Sequence, residues 1–120
     1  MTTKTITIAG VEVGIAYCYA TEITFKKYTG ISIDDLIKSL SDGKTPDEES
    51  ILYLILSVII PFYSSKGENS PVTDEDLMYR TDPKEFTYAL VAVMQLRNEW
   101  YKVPADEPKE ESDGEKPKND

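Results

Sequence analysis

The sequence predicts an α+β fold, mainly α: an N-terminal β-hairpin packed on a small bundle of about five helices, with a disordered acidic C-terminal tail. Three observations lead there. Apolar residues alternate with a period of two only near the N terminus. Helix start signals followed by helically spaced apolar residues fill the middle, and almost nothing apolar follows Pro104. A chain of 120 residues, 40% of them hydrophobic, suits one domain, expected over 1–103 and leaving 104–120 as the tail.

The hairpin is expected over 4–19. Thr5 to Ala9 and Val11 to Tyr17 alternate, and Gly10 separates them by a tight turn. Ile6, Ile8, Val11, Val13, Ile15 and Tyr17 would form its buried face, which helices must cover because a lone hairpin is marginal in water. A short helix over 21–29 ends at Gly30. A second, over 33–41, starts on a capping box with Ser32 as N-cap and Asp35 at N3, and Ile31 and Leu36 are spaced as a staple.

Thr45-Pro46-Asp47-Glu48 reads as a Thr cap, Pro at the first helical position and acids in the first turn, so a helix is expected over 46–63. Its middle, Ile51 to Ile60, is apolar around the whole circumference, and Pro61 should bend or weaken the last turn. After a polar loop, Thr73-Asp74-Glu75-Asp76 opens a short acidic helix over 74–80. Asp82-Pro83-Lys84-Glu85 opens the last, over 83–102, with Phe86, Ala89, Leu90, Val93, Leu96 and Trp100 along one stripe and Val103-Pro104 as its stop.

Acidic residues outnumber basic ones by 22 to 13, a net charge of −9 that repels phosphate backbones and anionic bilayers, so neither direct nucleic-acid binding nor membrane binding is expected. The apolar run from Ile51 to Phe62 falls short of the roughly 20 residues a membrane span requires. A lone cysteine, Cys18, cannot make an intrachain disulfide, and the Thr-rich start lacks the continuous apolar stretch of a signal peptide. A cytoplasmic setting is the simplest expectation.

The chain contains no histidine, which excludes Ser/His and Cys/His nucleophile pairs and every imidazole metal site. Gly10 and Gly14 lack the spacing, the lysine and the following helix of a phosphate-cradling loop. Asp47-Glu48-Glu49 and Asp74-Glu75-Asp76 sit at helix starts, where dipole compensation explains them better than acid–base chemistry or cation binding. Cys18 reads as a packed, inert thiol. No catalytic residue, cofactor or metal site is therefore expected.

The features that remain suit protein contact. The all-round apolar helix is either enclosed by its own chain or covered by an oligomer partner or client, and it places Tyr53, Ile59, Phe62 and Tyr63 among the candidate contact residues. Trp100 and Tyr101 join them as aromatic anchors, with closure of the core as the alternative role for Trp100.

Ile6-Thr7-Ile8-Ala9-Gly10-Val11-Glu12-Val13, then Thr21 to Gly30 with its Thr-Gly ending, then Ser32-Ile33-Asp34-Asp35-Leu36, resembles the opening of phage tail assembly chaperones. The later order, an apolar helix with a Tyr-Leu-Ile-Leu core, an acidic loop, a final helix and a charged tail, is similar to theirs. The resemblance spans about 100 residues in layout, through short capping and packing motifs. It implies a cytoplasmic factor of long-tailed phages, absent from the finished virion, that binds the tape-measure protein, keeps its helices soluble and helps recruit tail-tube subunits. It also implies that a longer, frameshifted product can exist. Homo-oligomers are compatible with it. Competing classes are a ring-forming or adaptor protein of the particle and an acidic DNA mimic, the latter disfavoured because many carboxylates sit at helix starts or in the tail.

Overall fold

The computed structural model describes residues 2–106. Two antiparallel strands, β1 (Thr2–Ile8) and β2 (Val11–Tyr17), lead into five helices: α1 (Tyr19–Thr29), α2 (Ile33–Ser41), α3 (Glu48–Ser64), α4 (Asp74–Arg80) and α5 (Pro83–Asp106). This is the mainly helical α+β layout that the sequence predicts. The expected tail from 107 onward lies outside the described residues.

The strands are joined by a two-residue turn in which Ala9 (φ 54°) and Gly10 (φ 75°) both adopt the left-handed region. That backbone matches the twist of the paired strands, which is why the hairpin closes so tightly. Ala9 is strained there, because a Cβ in that region meets the following carbonyl. Register pairs Ile8 with Val11, Ile6 with Val13, Lys4 with Ile15 and Thr2 with Tyr17.

One face of the hairpin therefore carries Ile8, Val13, Ile15 and Tyr17, all essentially inaccessible to solvent, and Ile6 is half-buried. Val11, expected on that buried face, is instead exposed at the turn end of β2. Gly14 and Ala16, on the opposite face, are buried too. β2 is thus covered on both sides.

The helix that covers it is α3. A tight two-residue turn makes Ile8–Val11 a hydrogen-bonded pair, so the backbone groups of Gly14 and Ala16 point off the free edge of β2. Tyr63 meets that edge: the Gly14 N–H donates to the Tyr63 Oη at 3.0 Å. Phe62 lies over the far face, where a Cβ on Gly14 would come within 2.3 Å of the ring's Cζ. Next along the edge, the Thr21 Oγ1 of α1 donates to the Ala16 carbonyl at 2.9 Å. Without Gly14 the last turn of α3 could not wrap the strand.

α3 is accordingly absorbed by its own chain. Ile51, Leu54, Ile55, Leu56, Val58 and Ile59 are buried, and no residue from Ser50 to Tyr63 is exposed. The choice left open between intrachain burial and a client or oligomer surface resolves to burial. Pro61 is buried inside the helix, which continues to Ser64. Its fixed φ fits helical geometry, and only one backbone donor is lost. Pro104, expected as a stop, does not end its helix either: α5 runs past it to Asp106.

Several caps form as the residue types dictate. Ser32 accepts from the Asp35 N–H at 3.0 Å, although the reciprocal half of the box is not made. Ile31 stays exposed. Thr73 and Asp76 make both halves, at 3.1 and 2.9 Å, and so do Asp82 and Glu85, at 2.8 and 3.3 Å. α3 starts later than expected, with Asp47 rather than Thr45 as its cap, and Pro46 lies outside the helix. α1 starts earlier: Tyr19, expected in the hairpin, is its first residue, and Cys18 is a half-buried cap rather than core. The Cys18 N–H donates to Thr21 Oγ1 at 3.2 Å.

Two outcomes follow from the turn and the wrap. Ala9→Gly should raise stability by about 1 kcal/mol by removing the left-handed strain, seen as a higher denaturation midpoint. Gly14→Ala should cost about 1–3 kcal/mol through overpacking against Phe62, and that cost should shrink when Phe62 is also replaced by Ala.

Candidate functional site: two aromatic and apolar surfaces

With α3 enclosed, the contact candidates divide. Ile59 is at 0% exposure and offers nothing to a partner. Phe62 and Tyr63 are half-buried and occupied in gripping β2. Tyr53, Trp100 and Tyr101 reach the surface, in two separate places.

The first place is a groove of about 400 Å³ between the start of α3, α4 and the start of α5. Leu52, Tyr53, Leu77, Met78 and Phe86 line it, and Glu48 and Glu49 form an acidic rim. Met78 is 54% exposed. Tyr53 is held by stacking on Tyr28, with ring centroids 4.7 Å apart and planes 9° from parallel. The short helix α4 is fixed beside it by the Thr73–Asp76 box, in which the Thr73 N–H bond holds the Asp76 carboxyl below its ordinary value.

The second place is an aromatic cluster where β2 passes into α1 beside the C-terminal half of α5. Trp100 packs against Tyr17 at 5.4 Å and edge-on to Tyr19 at 4.8 Å, and Tyr101 adjoins Trp100 at 4.8 Å. Tyr19 and Ile23, one helical turn apart on α1, are exposed and extend the patch. Trp100 therefore packs against the core, the alternative role expected of it, and stays half-buried at the border of the patch.

Glu22 organises this cluster. Tyr17 donates to Glu22 Oε2 at 3.1 Å, and Tyr101 donates to the same oxygen. Arg97 stands over the Tyr101 ring at 4.8 Å and pairs with Asp34 of α2, tying α5 to that helix. Burial, followed by the neighbouring Glu22 charge, pushes the Tyr17 phenol far above its ordinary value. The bond to Glu22, followed by burial, pushes Tyr101 up to about 12. A phenol and a carboxylate joined this way form a structural tie.

Sequence reasoning missed Met78 and Tyr19 as surface residues. Tyr19 was assigned to the hairpin, and Met78 lies on a helix of only seven residues, too short for a face to be read from spacing. Among the described residues there is no group of three or more His, Cys, Asp or Glu side chains placed to hold a metal ion, and no helix long and apolar enough to cross a membrane. Comparison with known proteins finds no family model, curated protein or solved structure that matches this chain.

The raised phenols give a pH prediction. Unfolded tyrosine ionises near pH ~10, and both folded values are higher, so the stabilisation is complete below pH ~10 and is lost as pH rises through the folded values. Absorbance titration should show the Tyr17 and Tyr101 phenolates appearing only above pH ~10. Glu22→Gln should return Tyr101 towards the ordinary value, and an unshifted titration in that variant would remove Glu22 as the cause.

Proposed function

We propose that this chain is a non-catalytic assembly factor of the phage tail chaperone type, binding a helical segment of the tape-measure protein and helping to recruit tail-tube subunits in the host cytoplasm. The observation that carries the binding step is the groove of Leu52, Tyr53, Leu77, Met78 and Phe86. An apolar floor with a methionine and two aromatic residues suits the apolar face of an amphipathic helix, and the methionine can adapt to irregular side chains. The Glu48 and Glu49 rim favours a client whose flanking residues are basic.

The lack of any histidine and the net charge of −9 support the same reading. The first leaves acid–base and nucleophilic chemistry with few groups to use, and the second keeps a complex with an apolar client dispersed. The order of elements also agrees: strand, glycine turn, strand, a helix ending in Thr29-Gly30 and a helix capped by Ser32.

The binding surface differs from the one the bare sequence suggests. The middle of α3 is core, and what it contributes to the groove is the half-buried wall at Leu52 and Tyr53.

Co-expression with a tape-measure protein tests this. The native chain should raise the client's soluble yield, whereas Met78→Asp should abolish the gain while leaving helix content unchanged. An unchanged client yield with the native chain would refute the proposal, as would the presence of this protein in purified particles.

A further inference from the structure

The hairpin has a second edge. The register that turns Gly14 and Ala16 outward on β2 also turns the backbone N–H and C=O groups of Thr3, Thr5 and Thr7 outward on β1. All three residues are exposed, and among the described residues no hydrogen bond reaches these outward groups. β2 differs, since its edge N–H at Gly14 and C=O at Ala16 are met by Tyr63 and Thr21. β1 carries no proline and no bulge, and the one device it has against edge pairing is a single charge, Lys4, on the face shared with Ile15.

Beside this edge lies a groove of about 470 Å³, lined by Lys4 to Thr7 of β1, by Asp82, Lys84 and Glu85 around the start of α5, and by Tyr88, Ala92 and Gln95 further along that helix. Tyr88 and Val91, adjacent on one strip of α5, are 63% and 51% exposed. The edge and the exposed Tyr88 thus border one groove.

We propose that β1 is the dimerisation edge of this protein, pairing antiparallel with β1 of a second copy about a two-fold axis at Thr5 to make a four-stranded sheet. The strand is its own best partner. Centring the axis on Thr5 overlaps all seven residues of Thr2–Ile8. It sets Thr3 opposite the second copy's Thr7 and Thr5 opposite Thr5, so the outward-pointing residues meet as hydrogen-bonded pairs. On the other face Lys4 meets Ile6. An axis at Lys4 would oppose two lysines and shorten the overlap, which disfavours it.

Composition points to the same occupant. No acidic residue lies between Thr2 and Ile8, so two copies of a chain with net charge −9 can approach along this segment. Threonine pairs directly across a ladder are favourable. A single added strand buries less than a stable interface needs, and Tyr88, beside it in the groove, supplies further apolar contact.

The inference does not depend on the tail-assembly reading, because the groove at Met78 lies elsewhere on the molecule. Met78→Asp should leave self-association unchanged.

Sedimentation equilibrium of the native chain should show a concentration-dependent dimer. Thr5→Lys and Thr5→Glu each oppose like charges at the axis and should sediment as monomers, while their equimolar mixture should regain the dimer. Amide exchange of the native chain provides a measurement free of any variant: the Thr3, Thr5 and Thr7 amides should become more protected as concentration rises. A native monomer at every concentration, a dimer that survives both substitutions, or equally fast exchange of those three amides throughout would overturn the proposal.

Discussion

The structure depends on the grip that the last turn of α3 takes on β2. A two-stranded sheet cannot sustain itself in water, because it has too few pairs and too much uncovered backbone. Here one strand is enclosed from three directions: its edge N–H at Gly14 is met by Tyr63, its far face by Phe62, and its inner face lies in the core with Ile15 and Tyr17 at 0% exposure. Gly14 makes this possible by having no side chain where the Phe62 ring lies. Everything else is arranged around that contact. α5 lies along β1 and is pinned at the hairpin tip, where the Gly10 N–H donates to Glu85 at 3.2 Å. α1 follows directly from β2 and closes the next position of its edge through Thr21.

This arrangement decides which apolar residues remain for function. A helix that is greasy on every side can be a core or a docking surface, and in this chain the hairpin, α1 and α4 consume it as core. The surplus appears elsewhere: at the groove between α3, α4 and α5, at the aromatic cluster around Trp100, and along the outer edge of β1. These three surfaces sit on separate parts of the molecule, so client binding and self-association can be separated by point substitution.

Much of the fold was legible because the signals were local. The alternation around Gly10, the Gly30 stop, the Ser32 and Thr73 caps and the Asp82–Glu85 box all act within a few residues, and each is found where the residue types place it. What could not be read required knowledge of packing. Nothing local marks Gly14 as the seat of Phe62, 48 residues away in the chain, or separates Ile59, which is enclosed, from Tyr53, which lines a groove. Thr45-Pro46 offers a Thr cap with Pro at the first helical position, yet α3 begins after Asp47, a residue type that caps at least as well. Cys18 caps α1 although cysteine is no usual cap, because Thr21 supplies the reciprocal bond.

If α3 is truly part of the same core as the hairpin, the molecule must lose both together. Trp100, the single tryptophan, reports on the junction of β2 with α5, and far-ultraviolet ellipticity reports chiefly on the helices. Followed through one denaturant titration, the two signals should trace a single transition with a common midpoint. Loss of the Trp100 signal at a lower denaturant concentration, with helical signal persisting, would show that α3 stands without β2 and would contradict the account.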